Sequence, residues 1–228
     1  TDGLKKVFDT QDDIYILTSS GTGGMEAAIV NTLSPGDKVV CASVGFFGDR
    51  FGQMARNFGA DVTMLNFCPG ESINPDSIRT TLKKNPKTKA VLVTHNETST
   101  GVTNDLETIS GIVKGEFNKL LLVDGISSVC SLPLRTDAWG CDVVATASQK
   151  GWMLPPGLSF ISFSKQAWQA YSVASMPKYY YDIEQYRHYY EIGQPPYTPA
   201  ISITYALDLA LQKILREGMP SIYQRHSN

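Results

Sequence analysis

Apolar residues in this chain fall into short unbroken runs, separated by stretches where they recur every three or four positions. The unbroken runs read as strands buried on both faces, and the three-to-four spacing reads as amphipathic helices. The pattern predicts strands at 14–18, 38–43, 61–66, 90–94, 120–123, 143–146 and 158–163. Between them it predicts helices at 22–33, 47–58, 75–84 and 105–117. Ser34-Pro-Gly-Asp37 stops the first of these helices, Gly59 ends the second, and Asn74 stands where a cap for the third belongs. Alternation of this kind predicts an α/β fold, a mostly parallel sheet covered by helices on both faces.

The character changes after Ser164. A helix is predicted over 165–174, then an aromatic, polar stretch at 179–190, a Pro-rich segment at 194–199, and a last amphipathic helix over 200–217. Six tyrosines in the twelve residues 179–190 either pack against a neighbouring surface or line the mouth of a site. The opening residues are polar and are expected to lead straight into the first strand. Residues 1–199 therefore read as one large domain, and 200–228 as the start of a long helix leading away from it. Thr1 is not an initiator, and the last residues are helix-like without a stop signal. The chain thus reads as a piece of something longer, with a C-terminal small domain absent.

Composition narrows the class without naming it. Hydrophobic residues make up 42% and charged residues 18%, enough apolar material for a sizeable core. Net charge is −2 with the two signs interspersed, so no basic run points to nucleic acid and no polybasic segment to a membrane surface. The apolar runs are too short to span a bilayer. Cysteines at 41, 68, 130 and 141 show no Cys-x-x-Cys spacing, and His95, His188 and His226 show no metal-ligand spacing. Reduced thiols without a metal centre are expected, in a cytoplasmic protein, with an organellar location left open.

Chemistry gathers where the strands end. Asp124 closes the run Leu120-Leu-Leu-Val, and Lys150 lies just past the run at 143–146, ahead of a Pro-Pro-Gly turn. An amine and a carboxylate at neighbouring strand ends suit pyridoxal phosphate. The amine forms a Schiff base with the aldehyde, and the carboxylate keeps the pyridine nitrogen protonated. Ser19-Ser-Gly-Thr-Gly-Gly24 leaves a strand and opens a helix, where free N–H groups and the helix dipole favour an anion. It lacks the Walker pattern and does not complete Gly-x-Gly-x-x-Gly, so it reads either as an anion site or as a flexible turn. Thr94-His-Asn-Glu-Thr-Ser-Thr-Gly101 is dense in hydrogen-bonding side chains and also follows a strand. Ligands of open α/β sheets bind beyond the carboxyl ends of the strands, so the convergence of these loops says more than any one of them.

In order and spacing, Ser20-Gly-Thr-Gly, Ser34-Pro-Gly-Asp-Lys-Val, Gly45-Phe-Phe-Gly-Asp-Arg, His95-Asn-Glu-Thr-Ser-Thr-Gly, Val123-Asp-Gly-Ile-Ser-Ser and Ser148-Gln-Lys with Pro-Pro-Gly span nearly the whole chain. Together they resemble class V aminotransferases of fold type I, most of all the alanine–glyoxylate / serine–pyruvate subgroup. The resemblance implies the large, cofactor-binding domain of that fold, with pyridoxal 5'-phosphate as cofactor. It implies that Lys150 forms the internal aldimine and shuttles a proton, and that Asp124 pairs with the pyridinium nitrogen. Phe47 and Ile126 would contact the two faces of the ring, Thr98 would lie near the ring oxygen, and Ser20, Gly21, Thr22 and Gln149 would hold the phosphate. Tyr197 and Thr198 would reach the phosphate of a partner subunit, which implies a homodimer with its active site at the interface. The implied reaction moves an amino group from a small amino acid, alanine or serine, to glyoxylate or pyruvate. A family arginine that grips the substrate carboxylate has no counterpart here, and Arg216 and Arg225 do not lie in that motif. The alternatives are a truncated non-catalytic homologue serving as a binding or assembly module, and a cysteine desulfurase. Gln149, where desulfurases carry histidine, argues against the second.

Overall fold

The apolar runs lie side by side in one sheet. The computed structural model describes residues 2–227. Its elements in chain order are α1 (Asp2–Phe8), β1 (Ile14–Leu17), α2 (Gly21–Thr32), β2 (Lys38–Ser43), α3 (Phe46–Asn57), β3 (Asp61–Asn66), α4 (Pro75–Lys84) and β4 (Ala90–Thr94). A small hairpin of β5 (Asn96–Glu97) and β6 (Val102–Thr103) follows, then α5 (Leu106–Ser110), β7 (Leu120–Asp124), β8 (Val143–Ala147) and β9 (Ser159–Phe163). The chain continues through α6 (Lys165–Tyr171), α7 (Ile183–Glu191), α8 (Ile201–Glu217) and α9 (Met219–Ser227).

Among the described residues the main sheet has seven strands in the order β1-β9-β8-β7-β4-β2-β3. Strands β3, β2, β4, β7 and β8 are mutually parallel, whereas β9 runs antiparallel to both β8 and β1. It follows that β1 points the same way as the parallel set. The chain steps from β2 outward to β3 and then returns to the other side of β2 with β4. That reversal puts a crevice beyond the carboxyl ends of the central strands.

Successive residues of each central strand serve opposite cores. Val40, Val91, Leu121 and Val123 pack with α1, α4, α5 and α8 on one face. Val39, Cys41, Leu92 and Leu122 pack with α2, α3, α6 and α7 on the other. Burial on both faces is why these strands read as continuous apolar runs rather than as an alternation. The edge strand β3 is only partly buried and alternates instead.

Three expectations need correction. Residues 2–8 do not lead straight into a strand; they form α1, whose Leu4, Val7 and Phe8 make a buried helical stripe. The aromatic stretch holds a helix, α7, begun by the Asp182 side chain accepting from the Glu184 N–H. The expected helix over 105–117 splits after Ser110 into a wider turn, in which the Phe117 N–H reaches back five residues to the Ile112 carbonyl at 3.2 Å.

The segment after β8 is anchored by Trp152, which is fully buried. Its ring centroid lies 4.7 Å from that of Phe160 and 6.0 Å from that of Phe8, and its indole N–H donates to Thr146 Oγ1 at 3.3 Å. Lys150 is two residues away on the same turn, so this packing fixes the backbone from which the amine extends. Trp152→Ala should cost about 3–5 kcal/mol in urea unfolding. A loss below about 1 kcal/mol would show that the indole does not hold the turn.

Candidate active site

Five loops leave carboxyl ends of the parallel strands and meet around one cavity of about 230 Å³. After β1 comes the N-terminus of α2, contributing Ser20, Gly21, Thr22 and Met25 to the wall. After β2 comes α3 with Phe47 and Arg50; after β4, Asn96 and Thr98; at and after β7, Asp124, Ile126 and Ser127; after β8, Gln149 and Lys150. Nine of the eleven residues expected at the site are in this wall. Tyr197 lines a larger cavity of about 430 Å³ beside β1, and Thr198 is exposed on the same segment. That second cavity is walled mainly by tyrosine, proline and aliphatic side chains, with Thr18, Gln194 and Thr204, and includes no lysine or carboxylate. Tyr180, Tyr186 and Tyr190 line it too, so this part of the tyrosine cluster packs against β1.

Register places Asp124 beside Thr94 on one side and Ala145 on the other, at the end of a strand with neighbours on both sides. It is 3% exposed. One carboxylate oxygen accepts from the Ile126 N–H at 2.9 Å, and the other has only a long contact with Thr94 Oγ1 at 3.5 Å. Among the described residues no cation pairs with it. Burial therefore raises its pKa to about 7, the nearby Glu97 charge adds to the rise, and the Ile126 N–H, Thr94 hydroxyl and Lys150 charge oppose it. A cation placed beside this carboxylate would lower its pKa again.

Lys150 sits on a turn closed by Ser148. The Ser148 N–H donates to Leu158 O at 2.9 Å, its hydroxyl donates to Pro155 O at 2.7 Å, and it accepts from the Leu158 N–H at 3.2 Å. Gly151 lets this turn lie against the preceding loop; a Cβ there would come within 2.4 Å of Ser131 Oγ and 3.0 Å of Cys130 backbone. Cys130 and Met153, at φ of 69° and 60°, hold left-handed backbone conformations that L side chains rarely adopt.

Helix α2 begins without a side-chain cap from Ser20, so its first N–H groups have no acceptor from that source. Gly21 lets Ile126 close over this end, since a Cβ would meet Ile126 Cδ1 at 2.5 Å. Gln149 Oε1 is buried without a partner among the described residues. Ser127 and Asn96 tie the Asp124 loop to the β5 hairpin, with the Asn96 side-chain amide donating to Ser127 Oγ at 2.9 Å and Ser127 donating to Asn96 O at 2.8 Å. The Arg50 guanidinium lies 5.2 Å from the Phe47 ring centroid.

The chemistry of this donor set fits pyridoxal 5'-phosphate. An amine and an unpaired buried carboxylate share one small cavity with a helix N-terminus and an aromatic side chain. Met25, Arg50, Asn96 and Ser127 also line the wall but were not singled out from the sequence. Arg50, Asn96 and Ser127 lie inside the sequence motifs at 45–50, 95–101 and 123–128, and only Met25, on the buried helix α2, lies in none.

The Asp124 shift has a consequence for the cofactor-free protein. Its folded pKa lies above the unfolded value, so its contribution to stability is complete below about pH 4 and is lost as pH rises through about 7. Asp124→Asn should therefore stabilise the empty protein above pH 7, by roughly 4 kcal/mol at most, with the gain vanishing near pH 4. Denaturant midpoints of both forms across that range check this; equal midpoints at pH 8 would refute it.

A family model described as aminotransferase class-V matches residues 2–227. The chain is 43% identical over 228 residues to the soluble hydrogenase, small subunit, of Synechococcus sp. (strain PCC 6716), covering 99% of this chain and 59% of that protein. It is 40% identical to the L-aspartate–glyoxylate aminotransferase of Paracoccus denitrificans (strain Pd 1222), covering 99% of this chain and 58% of that one. The crystal structure of alanine–glyoxylate aminotransferase from Nostoc sp. superposes with a TM-score of 0.93 at 33% identity, over 99% of this chain and 60% of that one. The chain thus spans about three fifths of the length of these relatives. Motifs, sheet order and site loops agree with one assignment: the chain belongs to the class V aminotransferase family.

Proposed function

We propose that this chain is the cofactor-binding part of a pyridoxal phosphate-dependent transaminase that moves an amino group from a small amino acid, such as alanine or serine, to glyoxylate or pyruvate. The observation that carries the reading is Asp124, buried without a cation on the wall that also holds the Lys150 amine. The relatives bear names of the same reaction class, one using alanine and one aspartate with glyoxylate. Bound cofactor supplies an aldehyde that the amine captures and a cationic ring that accepts the electron pair left when an α-proton departs.

The chain's own residues do the rest. Asp124 keeps the pyridine nitrogen protonated by pairing with it. Phe47 and Ile126 confine the ring between an aromatic and an apolar face. The α2 N-terminus with Ser20, Gly21 and Thr22, together with Gln149, anchors the phosphate, and Thr98 orients the ring through its hydroxyl. Lys150 would hold the cofactor through its amine and would serve as the base that moves a proton at the substrate's α carbon. In a homodimer Tyr197 and Thr198, on their exposed segment, would extend to the phosphate of the partner's site.

Protein reconstituted with pyridoxal 5'-phosphate should gain a visible absorption band that shifts on adding L-alanine or L-serine. Lys150→Ala should lose amine transfer to glyoxylate by about 10²–10⁴-fold or more while still binding cofactor non-covalently. Asp124→Ala should slow the transfer by roughly 10²-fold. Wild-type turnover in either variant would refute the assignment.

A further inference from the structure

Glu97 is the most thoroughly buried acid near the site, with no exposed surface and no cationic partner among the described residues. Its carboxylate accepts four hydrogen bonds. Oε2 takes the Phe47 N–H and the Gly48 N–H, each at 3.0 Å. Oε1 takes the Ser99 N–H at 3.1 Å and the Ser99 hydroxyl at 2.6 Å. Ser99 Oγ in turn accepts from the Phe46 N–H at 3.0 Å.

The first two donors belong to the opening turn of α3, whose own N-cap, Gly45, has no side chain to offer them. A residue on the hairpin between β4 and α5 therefore caps a helix some fifty positions earlier in the chain. Gly45 makes the approach possible: a Cβ there would come within 2.5 Å of Ser99 Oγ and 2.8 Å of Glu97 Cγ. Gly48 presses the other side of the same turn onto β2, where a Cβ would lie 2.6 Å from Ser43 Oγ. The start of α3 is thus held between β2 and Glu97.

Two wall residues flank this clamp directly. Phe47 is itself one of the donors, and Thr98 lies between Glu97 and Ser99. We propose that Glu97 is a positioning residue whose carboxylate fixes the start of α3 against the hairpin that carries Thr98, and hence where Phe47 stands as the aromatic face of the slot that receives a flat ring. The inference rests on the cofactor reading above and assigns Glu97 no contact with the ring. Simple packing would need neither a charge nor four acceptor positions. With donors facing both oxygens, only an acceptor-only group satisfies the site, and the positive end of the α3 dipole favours an anion there. Glutamine preserves shape but turns one oxygen into an NH₂ that faces N–H or O–H donors.

The test is the dissociation constant for pyridoxal 5'-phosphate, read from the circular dichroism induced in the bound chromophore, in wild type, Glu97→Gln, Phe47→Ala and the double variant. Glu97→Gln should weaken binding by about tenfold or more and speed amide exchange at Phe47 and Gly48. Because Glu97 acts through Phe47, the double variant should bind within about threefold of Phe47→Ala alone. Losses that add, as a general loss of stability would produce, overturn the proposal, and so does wild-type affinity in Glu97→Gln. If Glu97→Gln does not fold, Ser99→Ala, which removes one bond to Oε1 and the acceptor for Phe46, should give a smaller loss in the same direction. Unchanged affinity in Ser99→Ala would be equally damaging. A wild-type chain that does not bind the cofactor identifies the enzyme reading as the fault; wild-type binding with an indifferent Glu97→Gln identifies the clamp.

Discussion

A carboxylate removed from water with no cation paired to it among the described residues is unstable as an anion, and this site is arranged around that deficit. Asp124 sits at the end of a central strand, reached by one firm hydrogen bond and raised to a pKa of about 7 by burial. A cation placed in the cavity reverses the balance, since attraction at short range in a dry site outweighs what solvent could return. Ionising Asp124 in the folded chain therefore works against stability as pH rises through about 7. Lys150 lines the same cavity, so a ligand bound by the amine at one end can present a cationic nitrogen to the acid.

Precision in the site comes from backbones brought unusually close. Gly21 admits Ile126, Gly151 admits the Cys130–Ser131 turn, and Gly45 and Gly48 let the start of α3 be held from two sides. Each contact fixes a loop against another loop or a strand, not against solvent. The Asn96–Ser127 bonds then join the hairpin to the Asp124 loop. Binding groups from distant parts of the chain thus share one frame, the condition for holding a small rigid ligand in a single pose.

Much of this was legible in the sequence because burial on both faces leaves a plain trace. The strands at 38–43 and 90–94 match their observed limits; so does the partly buried edge strand at 61–66, which alternates, and Asn74 caps α4 as its position suggested. What stayed hidden had weaker local signals. Helix α1 has seven residues, too few for periodicity to stand out, and its stripe of Leu4, Val7 and Phe8 gains meaning only against the core. Helix α7 is masked by tyrosines, which are indifferent helix formers; packing beside β1 decides its conformation. Strand ends pointed to Lys150 and Asp124, and the glycine-rich and polar loops to Ser20, Gly21, Thr22, Asn96 and Thr98, whereas Phe47, Ile126 and Gln149 came only with the family resemblance. Glu97 was visible only as one polar residue in a polar loop, since its role depends on partners some fifty positions away.

The most direct measurement is the titration of the Asp124 carboxyl carbon by ¹³C NMR, in the empty protein and in protein saturated with pyridoxal 5'-phosphate. The empty site should titrate near pH 7, and the loaded site should stay ionised far below that. An ordinary carboxylate titration near pH 4 in the empty protein, or a midpoint that the cofactor leaves unmoved, would mean that Asp124 does not serve as the ring's counter-ion.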